Sequence, residues 1–130
     1  SAVMIKKDVF NKVGMFDEKL LACEDYDLWL RISLSYPIYT MADKLITKKG
    51  GHFDQLSTKY WGMDRFRIYS MIKLLKAEKH LDERKKAGLY YYISEKAKVV
   101  AIGAKKRLKF FSWFKYWMIS DYYKKEWEMI

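Results

Sequence analysis

Two adjacent carboxylates, Glu24 and Asp25, are the clearest candidates for chemistry in this sequence. They stand directly before a helical pattern, where a carboxylate can take a proton from an incoming hydroxyl group and so act as a general base. With two acids side by side, one can be the base while the other holds the geometry. The alternative is structural, because acids at the start of a helix bond to its unpaired amides and complement its dipole. Local sequence rules favour this structural alternative.

His52 is a second candidate, as a metal ligand, because imidazole nitrogen is a common ligand and this histidine follows two glycines in a predicted polar loop. The only other histidine, His80, does not stand at ligand spacing, so the residue by itself favours an ordinary loop position. Cys23 has no histidine near it in the sequence, and a nucleophilic role is not supported. The sequence also contains no glycine-rich phosphate loop, no P-loop motif and no CxxC pair.

The elements that must position these residues are predicted from apolar periodicity and from turn residues. Residues 2–5, 37–41 and 45–49 are typical of short strands. Helices are predicted over 8–13, with Asp8 as the cap and Gly14 as the stop, over 24–35, which Pro37 ends, and from 64, 82 and 112, with Asp82 and Ser112 as caps. Asp27 and Arg31 are spaced as an i, i+4 pair on the second helix, and we interpret them as a solvated surface pair. The predicted fold class is α+β and mostly helical.

The composition limits the setting. The single cysteine excludes a disulfide within the chain, so a reducing, intracellular compartment is expected. There is no apolar run of the roughly 18–20 residues that a membrane span needs, and the amino-terminal residues do not resemble a signal peptide. The expected location is the cytoplasm, with peripheral contact at the inner face of the membrane as an option.

Charge and aromatic residues are concentrated in the second half of the chain. Residues 1–60 hold nine basic and eight acidic side chains, whereas residues 61–130 hold 17 basic and eight acidic ones, together with 15 of the 23 aromatics. One interpretation is a non-enzymatic helical module that binds an anionic surface or a partner protein. The other is a packing domain whose aromatics form the core and whose lysines face water. The helical spacing of the aromatics favours packing.

Three blocks of residues 1–57 together resemble the second half of family 2 glycosyltransferase domains. The blocks are SAVMI with VF and VGMFDE within residues 1–18, CEDYDLWLR at 23–31, and the stretch from Leu45 through GGHFDQLS at 50–57. The resemblance covers about 57 of the 130 residues. It implies the GT-A fold for residues 1–60, as the carboxy-terminal, acceptor-side part of that domain, with residues 61–130 as a helical extension.

The resemblance also implies an activity, an inverting transfer of a sugar from a nucleotide-sugar donor to the hydroxyl of a saccharide or lipid-linked acceptor. In such enzymes Asp25 matches the usual base, Glu24 its neighbour and His52 a histidine near the metal or the diphosphate. Residues 14–18 match a loop on the acceptor side, and Arg31 matches an arginine with a structural role. Mn²⁺ or Mg²⁺ is expected in the full-length enzyme. No nucleic-acid partner is expected.

The nucleotide-binding half of the family, with its Asp-x-Asp type metal motif, would precede Ser1. This chain alone is therefore expected to be inactive and to bind neither nucleotide nor metal tightly.

Overall fold

The computed structural model describes residues 3–47 and 59–130, and within these ranges the chain forms five α-helices. They are α1 Lys7–Val13, α2 Glu24–Ser35, α3 Asp64–Ala77, α4 Glu83–Lys106 and α5 Phe110–Glu128. The chain divides into two compact units, Ser1–Trp61 and Gly62–Ile130. Helices α1 and α2 pack on each other in the first unit, and α4 packs against both α3 and α5 in the second.

The predicted α+β fold class was wrong. No strand is present in residues 3–47 or 59–130, so the described parts of segments 2–5, 37–41 and 45–49 are not strands, and the helical fold does not fit a piece of a GT-A domain. The physical reason is that a strand needs a paired neighbour and a buried face. Here the apolar side chains of the two later segments remain exposed, and they are Ile38, Tyr39, Met41, Leu45 and Ile46.

Helix α1 ends where the sequence predicts but does not begin with the predicted cap. Lys6 is the capping residue and makes no side-chain bond, while Asp8 lies within the first turn. Gly14 ends the helix with φ +79°, and its amide donates to the carbonyl of Phe10 at 2.9 Å. Only glycine adopts that backbone conformation at low cost, so the stop was predictable from residue type alone.

Helix α2 occupies the predicted residues 24–35. Its C-terminal cap, Tyr36, is extended (φ −137°, ψ 142°), as expected for the residue before a proline. Leu28 and Ile32 are buried on one face, as their spacing indicates. Asp27 is buried beside them.

The second unit is an antiparallel arrangement with α4 at its centre. Asp82 caps α4 as predicted, because its carboxylate accepts the amide of Lys85 at 2.8 Å. Small residues let α5 approach α4 closely. The two helices cross where Ser94 and Ser120 each donate a hydroxyl to the other's carbonyl, at 2.9 and 3.0 Å. The buried face of α4 includes Ile93, Ala97, Val100, Ala101 and Ala104.

Helix α5 differs from the sequence-based expectation in two ways. It begins at Phe110 rather than after a Ser112 cap. In addition, Tyr116 is its only residue that is buried, whereas Phe110, Phe111, Phe114 and Trp117 are each more than half exposed. The prediction that these aromatics form the core was therefore wrong for most of them. The helix is apolar on nearly every side, but α4 covers only one of those sides.

We predict that Asp64→Asn lowers the stability of the second unit by about 1–2 kcal/mol at neutral pH. Burial raises the pKa of the Asp64 carboxyl, but bonds from Arg67 (2.8 Å) and Lys96 (3.1 Å) outweigh it and hold the pKa below its usual value. Because the folded pKa is the lower one, the ionised form stabilises the fold. This contribution is complete above about pH 4 and disappears as the pH falls through the folded value.

Urea denaturation at several pH values tests this expectation. The difference between wild type and Asp64→Asn should shrink below about pH 4. Asp43→Asn, at an exposed acid, should change stability little at any pH. If the stability difference between wild type and Asp64→Asn stayed constant down to pH 2.5, about 1.5 pH units below the usual pKa of aspartate, the stabilising role of the ionised Asp64 carboxyl would be contradicted.

Candidate active site

Arg31 is the centre of the polar contacts in the first unit. Its Nε and Nη2 both lie 3.0 Å from Oδ2 of Asp27, one turn earlier on α2. Its guanidinium also donates to three successive backbone carbonyls at the end of α1 and just after it. Nη1 donates to Val13 and, at 3.3 Å, to Gly14, and Nη2 donates to Met15 at 2.9 Å. One side chain thus ties the end of α1 and the loop after it to α2, which is the structural role that the resemblance implies for this arginine.

The Asp27–Arg31 pair is not the solvated surface pair that its spacing suggested. The Asp27 side chain is 2% exposed and that of Arg31 is 20% exposed. A carboxylate buried to this degree requires a charged or hydrogen-bonding partner, and the planar fork of arginine supplies both. The burial of this pair could have been predicted from the sequence. Asp27 and Arg31 directly precede the apolar Leu28 and Ile32, and packing against α1 covers that side of α2.

The loop from residue 14 to 20 has its own internal bonds. Asp17 accepts the amide of Lys19 on its carboxylate, and its carbonyl accepts the amide of Leu20, both at 3.0 Å. This is the local turn that aspartate favours. Leu20 and Ala22 are buried and anchor the approach to α2. The loop is therefore held at one end by Arg31 and at the other by apolar packing.

The predicted acid pair lies at the start of α2. Cys23 precedes it in the left-handed conformation (φ +61°), is buried, and makes no side-chain cap. This turn separates the environments of the acids that follow: Glu24 is half-buried and Asp25 is exposed. Oδ1 of Asp25 accepts the amide of Tyr26 at 2.7 Å, which satisfies one of the unpaired amides of the first turn. This bond to Tyr26 is a specific contact of the kind that the structural role of Asp25 requires. The carboxylate nevertheless remains accessible to a substrate.

His52 lies outside the described residues, so its predicted role is neither supported nor opposed. Within residues 3–47 and 59–130 no group of three or more His, Cys, Asp or Glu side chains converges as a metal site would require. Glu24 and Asp25 alone do not provide enough ligands to hold a divalent ion.

Comparisons with protein-family models, curated proteins and solved structures find no match for this chain. Among the helices of the described part, none combines the length and apolarity needed to cross a membrane.

Proposed function

We propose that this chain contributes the acceptor side of an inverting glycosyltransferase, with Asp25 as the general base. The acceptor oxygen forms a bond to the anomeric carbon while the bond from that carbon to the diphosphate oxygen breaks. The hydroxyl proton passes to the Asp25 carboxylate, and the electron pair of the broken bond leaves with the nucleoside diphosphate. The three-block resemblance of residues 1–57 supplies the reaction class.

The observation that carries the proposal is the exposure of Asp25 beside a fixed loop. A general base must reach the proton that it removes, and it must be held in position. Asp25 is exposed at the first turn of α2. Two residues later Asp27 is buried and bonded to Arg31, which in turn holds the carbonyls of residues 13–15. The helix start and the loop are therefore one unit, which presents the exposed carboxylates of Glu18 and Asp25. Asp25 is the one that the resemblance matches to the base.

No described residue is assigned to the donor or its metal, and His52 keeps its predicted place near the metal. Since the described residues do not provide a ligand set for a divalent ion, no step of this proposal passes through one. Glu24, half-buried next to Asp25, is assigned to holding the helix start rather than to proton transfer. The acceptor is a saccharide or a lipid-linked hydroxyl.

The test is the stereochemistry of transfer by the complete enzyme. We expect it to release nucleoside diphosphate from one member of a panel of UDP-, GDP- and dTDP-sugars. The anomeric coupling constant in the proton NMR spectrum should show that the new linkage has the configuration opposite to that of the donor. A retained configuration would exclude direct displacement by an Asp25-activated hydroxyl. Absence of nucleotide release with every donor and acceptor tried would count against the transferase itself.

A further inference from the structure

The turn end of the α4–α5 hairpin carries an unbalanced positive charge. Residues 94–120, which lie on the turn side of the Ser94–Ser120 crossing, hold seven basic side chains and one acidic one. The other end of the hairpin, residues 82–93 and 121–130, holds five of each. The net charge of the hairpin is therefore not spread evenly along it but is concentrated where α4 turns into α5.

Exposed apolar side chains lie among these charges. We use the name hairpin tip for residues 105–111, the sequence KKRLKFF. Leu108 is 74% exposed, Phe110 61% and Phe111 86%. Leu108 also has a positive φ of 56°, a conformation that costs a non-glycine residue energy and that the tight turn imposes. A turn that exposes a leucine and two phenylalanines between four cations is unusual for a surface that meets only water.

The apolar surface continues from the tip along α5. Phe111, Phe114 and Met118 follow each other at helical spacing, and all are more than half exposed. They point away from α4, because Tyr116 and Ser120 occupy the side of α5 that packs on it. This stripe is separate from the packed face of the hairpin.

We propose that the hairpin tip docks peripherally on an anionic lipid bilayer, with Phe110 and Phe111 entering the headgroup region and the surrounding lysines and arginine contacting the lipid phosphates. Interleaved cations and bulky apolar side chains are the chemistry that binds such an interface, since the charges attract the surface and the apolar groups leave water. The proposal concerns the second unit and does not depend on the transferase assignment.

Charge complementarity selects the bilayer over the other possible occupants. Two copies meeting at their tips would bring two sets of like charges together, which opposes self-association. A nucleic-acid duplex would satisfy the cations, but its bases are stacked inside it and would leave Leu108 and the stripe of Phe111, Phe114 and Met118 in water. A bilayer accommodates both features at once, because its headgroups and its acyl boundary lie within a few ångströms of each other.

A groove of about 720 Å³ between α4 and α5 extends the cationic surface. Lys98, Lys105 and Lys106 line it together with Trp113 and Trp117, and the ammonium group of Lys105 lies 5.7 Å from the ring centroid of Trp113. Glu95, Asp121 and Lys124 line the end away from the turn. The groove is thus most cationic at the tip, where a headgroup phosphate would enter.

Vesicle co-sedimentation of the full chain tests the proposal. We expect binding to vesicles of phosphatidylcholine with 30% phosphatidylserine, about the anionic content that gives a strong surface potential, and not to phosphatidylcholine alone. Replacing Lys105, Lys106, Arg107 and Lys109 by Gln should lower the partition coefficient by about 10²–10³-fold. Raising the salt from 0.05 to 0.5 M should abolish binding by the wild type, because screening shortens the reach of surface charge to roughly 4 Å.

Two matched controls test whether binding depends on the hairpin tip itself. One tests the effect of the net charge of the chain, and the other tests the effect of exposed aromatic side chains elsewhere. Replacing Arg84, Lys85, Lys86 and Lys125 by Gln removes the same charge from the other end of the hairpin, outside the groove, and should leave most binding intact. Phe110→Ser with Phe111→Ser should lower partitioning by about tenfold or more. Tyr92→Ser with Tyr122→Ser, at two other exposed aromatics, should not. Far-UV circular dichroism confirms that each variant folds.

Several results would overturn the proposal. They are equal sedimentation with neutral and anionic vesicles, no sedimentation with either, and equal losses for the two charge-removal variants. A tip that binds RNA but no vesicle would assign the surface to nucleic acid. A concentration-dependent dimer that the Phe110→Ser, Phe111→Ser variant abolishes would assign it to a second copy.

Discussion

Under the proposed assignment of Asp25 as the general base of a transferase, Asp25→Asn should lower turnover by about 10²–10⁴-fold, the usual cost of removing such a base. Asparagine keeps the size of the side chain and an oxygen that can accept the amide of Tyr26, but it cannot take the proton of the acceptor hydroxyl. Because Asp25 is exposed, the fold should lose little stability, about 0.3–1 kcal/mol from the interaction with the helix dipole. Steady-state kinetics and thermal denaturation of the same preparations measure both effects.

Asp8→Asn is the matched control for this prediction. Asp8 is also an exposed aspartate in the first turn of a helix, so the change removes the same charge from the same kind of position. It should leave turnover unchanged. If Asp25→Asn kept near wild-type turnover and instead lowered the melting temperature more than Asp8→Asn did, Asp25 would serve the helix start and not the reaction.

Arg31→Met should destabilise the first unit by about 3–5 kcal/mol. The substitution keeps much of the apolar stem but leaves the buried carboxylate of Asp27 without its cation. It also removes the donors to the carbonyls of Gly14 and Met15. Arg31→Lys should recover only a small part of the loss, because a single ammonium group cannot reach the carboxylate and successive carbonyls together. Urea denaturation followed by circular dichroism gives the change in the free energy of unfolding.

Lys125→Met provides the matched control for Arg31→Met. Lys125 and Asp121 have the same i, i+4 spacing as Arg31 and Asp27 and lie 2.7 Å apart, but both side chains are exposed. Removing that pair should cost less than about 1 kcal/mol. A loss of similar size for Arg31→Met would mean that the buried pair contributes no more than an exposed one.

The double variant Asp27→Leu, Arg31→Met separates two contributions to the loss. If the unpaired carboxylate causes most of it, the double variant should be more stable than Arg31→Met alone, since apolar residues often replace a buried pair without loss. If the loss of the hydrogen bonds to the carbonyls of residues 13–15 causes most of the destabilisation, the single and the double variant should be equally unstable.

The helices were the predictable part of this fold. Helix α2 matched its predicted residues because acids begin it and the residue before Pro37 ends it. Helix α4 begins directly after its predicted cap, Asp82, because that carboxylate bonds to the amide of Lys85. The candidate acids were also identifiable, since residue type and position before a helix are local properties. The role of His52 stays a prediction, as that residue lies outside the described parts of the chain.

The sequence by itself determined where most helices begin and end and where charge accumulates, because capping, proline geometry and net charge depend on neighbours in the chain. Only the tertiary structure decided that residues 37–41 and the described part of 45–49 form no strand, since pairing requires a second segment in space. It likewise decided that Asp27 is buried while Asp25 is exposed, and that Phe110 and Phe111 lie on the surface. Burial depends on which face of an element another element covers, and α4 covers only one face of α5.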